Sequence, residues 1–324
     1  MNETDTKKQV DVLQDEPIIG SSPVAKRLTR VVKRLSKTDS HVFMFGETGT
    51  GKEFIARLIY SQSFRQKRNF VVIDCSALGK TINNKDFYGE DLEGAQAVIR
   101  NIGLLEKANK GVLFLANVGE LSPDYQEEFL QIIRGKRFRR AGGRENIDLD
   151  LRIISASDRD LKLDMESGKF RKELFYLINT FTLYIPPLRE RKQDIPDLFS
   201  YFLKKYCEQE GREEPAVPSE VFESILEYEW KSNVGQLENT VQNLIMMSPP
   251  EELSSEFLPF RIKKHPLAFL EPKNLKGVIS EIETYLIKKA LRKFGGNQVK
   301  AAKLLGVPEA TLRFKMKKHS ISSK

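Results

Sequence analysis

The clearest chemistry in the chain lies in seven consecutive residues, Gly46, Glu47, Thr48, Gly49, Thr50, Gly51 and Lys52, with Glu53 directly behind them. Glycines at this spacing let backbone N–H groups close around phosphate oxygens, and the lysine reaches the outer phosphates. The pattern points to binding of a nucleoside di- or triphosphate. One position departs from the general motif: Ser or Thr normally follows the lysine and holds Mg²⁺, and Glu53 stands there instead.

Such a loop works only between a strand and a helix. Val42, Phe43, Met44 and Phe45 predict a short buried strand, and Phe54, Ile55, Leu58 and Ile59 recur at helical spacing behind Lys52. Apolar runs at 69–74, 111–118, 151–156 and 181–185 predict four more strands, with helical patterns at 121–134 and 169–177. Strands alternating with helices behind a phosphate loop predict a parallel sheet covered on both faces. Ser22 is the expected N-cap of an amphipathic helix over 23–35. Pro186-Pro187 ends the alternation. From Asp194 to Met247 the patterns are helical only, which predicts a smaller lid, and 248–274, with five prolines, reads as a linker.

Hydrophobic residues make up 40% of the 324 residues, enough for two or three globular domains. No apolar run approaches the roughly 18 residues of a membrane span. Residues 1–16 are polar and read as a disordered lead without a signal-peptide core. Cys75 and Cys207 stand far apart with no metal spacing, as expected in a reducing cytoplasm. The net charge is +8, but residues 273–324 carry 13 Lys or Arg against three acids, which leaves residues 1–272 at −2. A basic end on a near-neutral body is the electrostatic footprint of nucleic-acid binding.

The segments GETGTGKEFIARLIY, FVVIDCSAL, GVLFLANVGELSPDYQEEFLQIIRGKRFRRAGG, DLRIISASDRDL, GKFRKELFYLIN and PPLRERKQDIP follow one another in order. Together they resemble the AAA+ domain of bacterial sigma-54-dependent activators. The end of the chain resembles the Fis-type helix-turn-helix of the same proteins. The resemblance implies an α/β fold: an AAA+ P-loop parallel sheet with a helical lid, followed by a small all-α helix-turn-helix domain. The expected division is a lead at 1–16, an α/β nucleotide-binding part at 17–188, a lid at 189–248, a linker at 249–274 and a DNA-binding domain at 275–324. Only about 16 residues precede the AAA+ part, so no receiver domain is expected ahead of it.

The resemblance also marks where this chain departs from its family. The family ends one strand in Asp-Glu, which hold the metal and orient the attacking water; here Ala116-Asn117 follow the apolar run. Alanine has no ligand atom, and an amide cannot take a proton from water. The polymerase-contacting signature Gly-Ala-Phe-Thr-Gly-Ala is matched by Glu93-Gly94-Ala95-Gln96-Ala97-Val98. Arg171 matches the first of two arginines that reach a neighbouring subunit, but Leu177 replaces the second. In the lid, Gly235 stands where an arginine would sense the outer phosphate. Asp74 and Asp158 occupy positions that are usually Asn. These departures lead to the expectation of a regulator that binds ATP or ADP at Gly46–Glu53 without efficient hydrolysis and without ordinary Mg²⁺ coordination. Two alternatives stand beside it: an ATP-driven activator in which Asp74 or Glu120 substitutes as the acid, and a non-catalytic subunit that modulates active relatives in a mixed ring.

In the basic end, Val278, Ile282, Tyr285, Leu286, Leu291 and Phe294 lie on one helical face, suited to a dimer surface or to packing within the domain. Asn297 is the expected cap of a helix over 298–305, Gly306 turns the chain, and Pro308 opens a second helix over 309–318. That layout is a helix-turn-helix. Its expected core is Leu305, Val307, Leu312 and Met316. Gln298, Thr311, Arg313, Phe314, Lys315, Lys317 and Lys318 are the candidates for DNA, with Thr311 and Arg313 placed to reach bases or phosphates and the lysines to meet phosphates. The implied partners are double-stranded DNA and further copies of the chain, as a dimer or a higher ring. RNA polymerase is a candidate, but the usual sigma-54 contact has lost its loop signature. No membrane partner is expected.

Overall fold

The computed structural model describes residues 17–93, 98–259, 262, 275–319 and 321. It divides into two compact units, Met1–Ser254 and Ser255–Lys324.

The first unit opens with α1 (Pro23–Leu35), capped as expected by Ser22, whose Oγ accepts from the Ala25 N–H. Then follow β1 (Val42–Phe45), α2 (Lys52–Ser61), β2 (Phe70–Asp74), α3 (Asn84–Tyr88), β3 (Gly89–Glu93), β4 (Val98–Ile102), α4 (Leu104–Ala108) and β5 (Val112–Ala116). A 3₁₀ turn at Val118–Glu120 leads into α5 (Pro123–Gly135), β6 (Arg137–Phe138), β7 (Ile147–Asp148), β8 (Arg152–Ser157), α6 (Lys162–Glu166), α7 (Lys172–Ile178) and β9 (Phe181–Tyr184). Two 3₁₀ turns, Leu188–Glu190 and Lys192–Asp194, enter the lid helices α8 (Ile195–Glu210), α9 (Ser219–Glu227) and α10 (Asn233–Met247).

The five expected strands form one parallel sheet in the order β2-β5-β8-β1-β9. Every residue of β8 and four of the five in β5 are buried. Strands covered on both faces read as continuous apolar runs, which is why these were legible. One hydrophobic cluster packs Phe43, Leu113, Leu115, Phe129 and Phe175 on one side of the sheet. The other packs Met44, Ile55, Ile59, Phe114 and Ile154 beneath α1 and α2.

The β3–β4 hairpin was not legible. Glu90, Asp91, Arg100 and Asn101 give it no apolar alternation. It is anchored instead by a buried guanidinium: Arg140 donates to both oxygens of Glu106 at 2.7 and 2.8 Å and to Asp91 at 3.2 Å. Residues 94–97, within the expected polymerase-contact stretch, lie outside the described residues.

His41 sits at the sheet edge opposite the phosphate loop, where its Nδ1 accepts from the Ile153 N–H at 3.0 Å. Burial pushes its pKa below the ordinary 6.5, with Asp39 opposing. The unfolded chain therefore takes up this proton first, so the contribution of His41 is full above about pH 6.5 and is lost as pH falls below it. The urea midpoint is expected to drop between pH 7.5 and 5.5. Asn can place an oxygen where Nδ1 lies, so His41→Asn should flatten that drop; an unchanged slope would show that the ring is not the titrating group.

The second unit contains α11 (Leu275–Lys293), α12 (Gln298–Leu305) and α13 (Glu309–Lys318). Asn297 caps α12 by accepting from the Lys300 N–H at 3.1 Å, and Gly306 closes that helix in the left-handed region. The core joins Ile287, Ala290, Leu291, Ala301, Ala302, Leu312 and Met316, with Leu305, Val307 and Phe294 at its edge. The apolar face expected on α11 is therefore shifted: Ile287 and Ala290 turn inward and Leu286 stays 45% exposed. Two helices cross α11, so its buried stripe follows them rather than the widest apolar arc of the sequence. The side chains of Val278 and Ile282 lie outside the described residues.

Candidate nucleotide site and nucleic-acid interface

The phosphate loop joins β1 to α2 at the carboxyl edge of the sheet, where α/β folds bind ligands. Gly51 has φ 97° and Gly49 φ 78°, both outside the range of ordinary side chains. Lys52 Nζ donates back to the Gly46 and Glu47 carbonyls at 2.6 and 3.0 Å. Burial pushes its pKa below the ordinary value, and the nearby Asp158 offsets part of that shift. Glu53 points along α2 and pairs with Arg57 at 2.6 Å, one turn away.

The lid seats directly on this loop. Asn233, fully buried at the start of α10, donates through Nδ2 to the Thr48 carbonyl at 2.9 Å and to Glu47 at 3.3 Å, and accepts through Oδ1 from the Leu188 N–H at 2.8 Å. The Gly235 N–H donates to the Gly49 carbonyl at 3.1 Å. A Cβ on Gly49 would lie 2.1 Å from the Ser232 carbonyl oxygen, so glycine is required there for close approach as well as for conformation. Arg189 forms a two-pronged ion pair with Glu47, and this hydrogen bonding, with help from Asn233, holds the Glu47 pKa at about 2. Arg191 adds a hydrogen bond to the Thr50 carbonyl at 3.1 Å. Asn233, Arg189 and Arg191 were not among the expected site residues. The signal lay in Asn233-Val234, a pair that matches the family's lid motif and is flanked on both sides by altered positions.

At the end of β5, Ala116 offers no donor atom. Asn117, at φ 53°, turns its amide toward β2 and donates to Asp74 Oδ1 at 3.1 Å. The Ser76 N–H and Oγ donate to the same oxygen at 3.0 and 2.8 Å. Burial works to raise the Asp74 pKa, but these donors outweigh it and hold the carboxylate below its ordinary range. The chain thus places a carboxylate on β2 and an amide on β5, the reverse of the order that the resemblance implied. Glu120 is engaged by Arg159 at 2.9 Å, and Arg159 also holds Asp164. Among the described residues no group of three His, Cys, Asp or Glu could hold a metal, and the β5 donor set does not fit Mg²⁺ in the usual way.

Arg171 is exposed beside α7 and pairs with Glu127 at 3.0 Å; Leu177 is half-buried on that helix. Gly235 lies in the first turn of α10, and a Cβ there would meet only the Gly49 Cα at 3.8 Å.

In the second unit α13 carries the expected basic residues. Arg313, Phe314, Lys317 and Lys318 are exposed and Thr311 is half-buried. Lys315 is drawn inward to Glu283 on α11, whose other oxygen lies 3.0 Å from His319 Nε2. Arg313 donates to Glu309 at 2.6 Å and to Gln298 on α12 at 3.1 Å.

A five-stranded parallel sheet with a phosphate loop at its carboxyl edge and a helical lid clamped on it, joined to a helix-turn-helix unit, defines an AAA+ regulator. Residues 18–184 match the sigma-54 interaction domain, 189–270 the AAA+ ATPase lid domain and 278–319 the bacterial regulatory protein, Fis family. The chain belongs to the sigma-54 interaction-domain family of transcriptional regulators. It is 36% identical over 311 residues to a signal-transduction and transcriptional-control protein of Clostridium beijerinckii, covering 94% of this chain and 49% of the relative. It is 32% identical to the transcriptional regulatory protein ZraR of Klebsiella oxytoca, covering 92% of this chain and 68% of ZraR. The chain thus spans about half the length of the first relative and about two thirds of the second. Crystal structures of NtrX from Brucella abortus, in complex with ADP and with ATP, superpose with a TM-score of 0.70 at 27% identity, covering 98% of this chain. The ADP complex is matched over 73% of its chain. No helix among the described residues is long and apolar enough to cross a membrane.

Proposed function

We propose that this protein is a DNA-binding transcriptional regulator whose AAA+ domain holds ATP or ADP as a structural ligand and does not hydrolyse it efficiently. The observation that carries this reading is the contrast between the two halves of the site. The loop Gly46–Lys52 and its lid contacts are intact, whereas β5 ends in Ala116 and in an Asn117 amide committed to Asp74. Backbone donors and a lysine supply ground-state phosphate binding. Turnover needs charge and a positioned nucleophile on the far side of the outer phosphate. NtrX, crystallised with both nucleotides, supports the binding half. Copies of this chain assemble as a dimer or a ring on double-stranded DNA, because a helix-turn-helix of this size gains affinity from paired sites.

The test is calorimetric titration of the purified chain with ATP and ADP, beside steady-state turnover with and without duplex DNA. Binding in the micromolar range is expected, weakened about 100-fold in Lys52→Ala, with no turnover above background. Absence of binding at millimolar nucleotide would overturn the ligand half of the reading. Turnover that disappears in Lys52→Ala would overturn the catalytic half.

A further inference from the structure

We infer that Gln298, Glu309 and Arg313 form a preset reading head, in which Glu309 fixes Arg313 to read a guanine and suppresses its attraction to phosphate. The inference rests on the DNA-binding reading above and assigns the specificity of that surface.

The geometry is particular. Arg313 Nε donates to Gln298 Oε1 at 3.1 Å, and Nη2 donates to Glu309 Oε1 at 2.6 Å. Nε and Nη2 flank one side edge of the guanidinium, and we assign both bonds to that edge. Five N–H donors are available on this group, so three remain: both on Nη1 and the second on Nη2. One hydrogen of Nη1 and one of Nη2 form the end-on fork, and a planar fork with two parallel donors matches guanine O6 and N7 in the major groove. An exposed i,i+4 ion pair alone is worth little. Here the second anchor comes from α12, so the fork's direction is set by the crossing of two helices rather than by one flexible side chain. Glu309 is half-buried and is the only acid on α13, whose other charged residues are Arg313, Lys315, Lys317 and Lys318.

The charge balance adds a second consequence. Lys315 is already engaged with Glu283, and Arg313 with Glu309. Lys317 and Lys318 are exposed and make no ion pair among the described residues. Phosphate attraction on α13 then falls to these two lysines, and the Glu309–Arg313 pair, formally neutral, contributes geometry in place of bulk affinity. Like charge between Glu309 and the backbone penalises any register in which the guanidinium finds no base edge.

The experiment is selection of the full-length protein on 30-base-pair duplexes with a randomised centre, followed by titration on the enriched duplex and on a scrambled one across a salt series. The native chain is expected to enrich a guanine at one position of each half-site. Arg313→Ala should lose about 10- to 100-fold of the preference at that position, with little change in the salt slope. Lys317→Ala should weaken both duplexes alike and lower the slope by about one. Glu309→Gln should bind the scrambled duplex several-fold tighter while discrimination falls at least tenfold. Glu309→Asp keeps the charge but not the reach, so it should lose discrimination without gaining affinity for the scrambled duplex. A Glu309→Gln protein that selects the same sequence with the same discrimination would overturn the inference while leaving DNA binding intact. A native chain that binds no duplex at low salt would overturn the DNA-binding reading itself.

Discussion

Ala116→Asp combined with Asn117→Glu is expected to restore little ATP turnover until Asp74→Asn is added. The double variant returns both missing carboxylates to β5, but it sets the new carboxylate at position 117 against Asp74. The present partner of Asp74 is an amide donor at 3.1 Å, and a carboxylate there has no hydrogen to donate. Asp74 is exposed and position 117 half-buried, so solvent screens the two carboxylates only in part, and their repulsion raises the pKa of one of them. Two unit charges about 4 Å apart repel by about 4 kcal/mol at an effective dielectric constant near 20. One acid then takes up a proton or swings away, and the group meant to orient water is lost. Asp74→Asn replaces the repulsion with an amide that can donate to the introduced carboxylate. The triple variant is expected to exceed the double by ten- to a hundredfold in kcat, the scale on which single positioned groups act in phosphoryl transfer. Steady-state phosphate release with Mg·ATP decides it, with Lys52→Ala added to each variant as background. Equal rates for double and triple would remove the Asp74–Asn117 pair from any account of this site.

Asn233→Ala should be the most damaging single change in the lid. Asn233 is 0% exposed and its side chain bonds three partners on two segments, Leu188, Thr48 and Glu47. Alanine leaves the buried Leu188 N–H without its partner, and an orphaned buried donor costs about 1–3 kcal/mol; the Thr48 carbonyl, on an exposed residue, turns to water at smaller cost. It also places alanine at φ 57°, which asparagine tolerates and alanine does not, for about 1 kcal/mol more. The expected loss is about 2–4 kcal/mol of stability, with nucleotide affinity falling at least tenfold because the loop loses its lid contact. Trp230 is the single tryptophan and is buried in the lid, so its fluorescence during urea unfolding reports this unit directly. A variant that unfolds at the native urea concentration and binds ATP normally would show that the clamp carries no energy.

The sequence by itself determined the elements whose signals are local. The five sheet strands are largely apolar runs, the loop is a contiguous motif, and Ser22 and Asn297 are caps written next to the helices they start. The chemistry missing from Ala116 and Asn117 was equally legible, since a side chain without a carboxylate cannot regain one by folding. Only the tertiary structure could decide what the surviving groups do. Asp74 and Asn117 are 43 positions apart, Asn233 is 185 from Thr48, and Gln298 is 15 from Arg313; each pair meets because strands adjoin or helices cross. The β3–β4 hairpin depends in the same way on Arg140, a charge buried between Asp91 and Glu106. Hydrogen-bond partners are set by distance in space, and a one-dimensional pattern carries distance only along the chain.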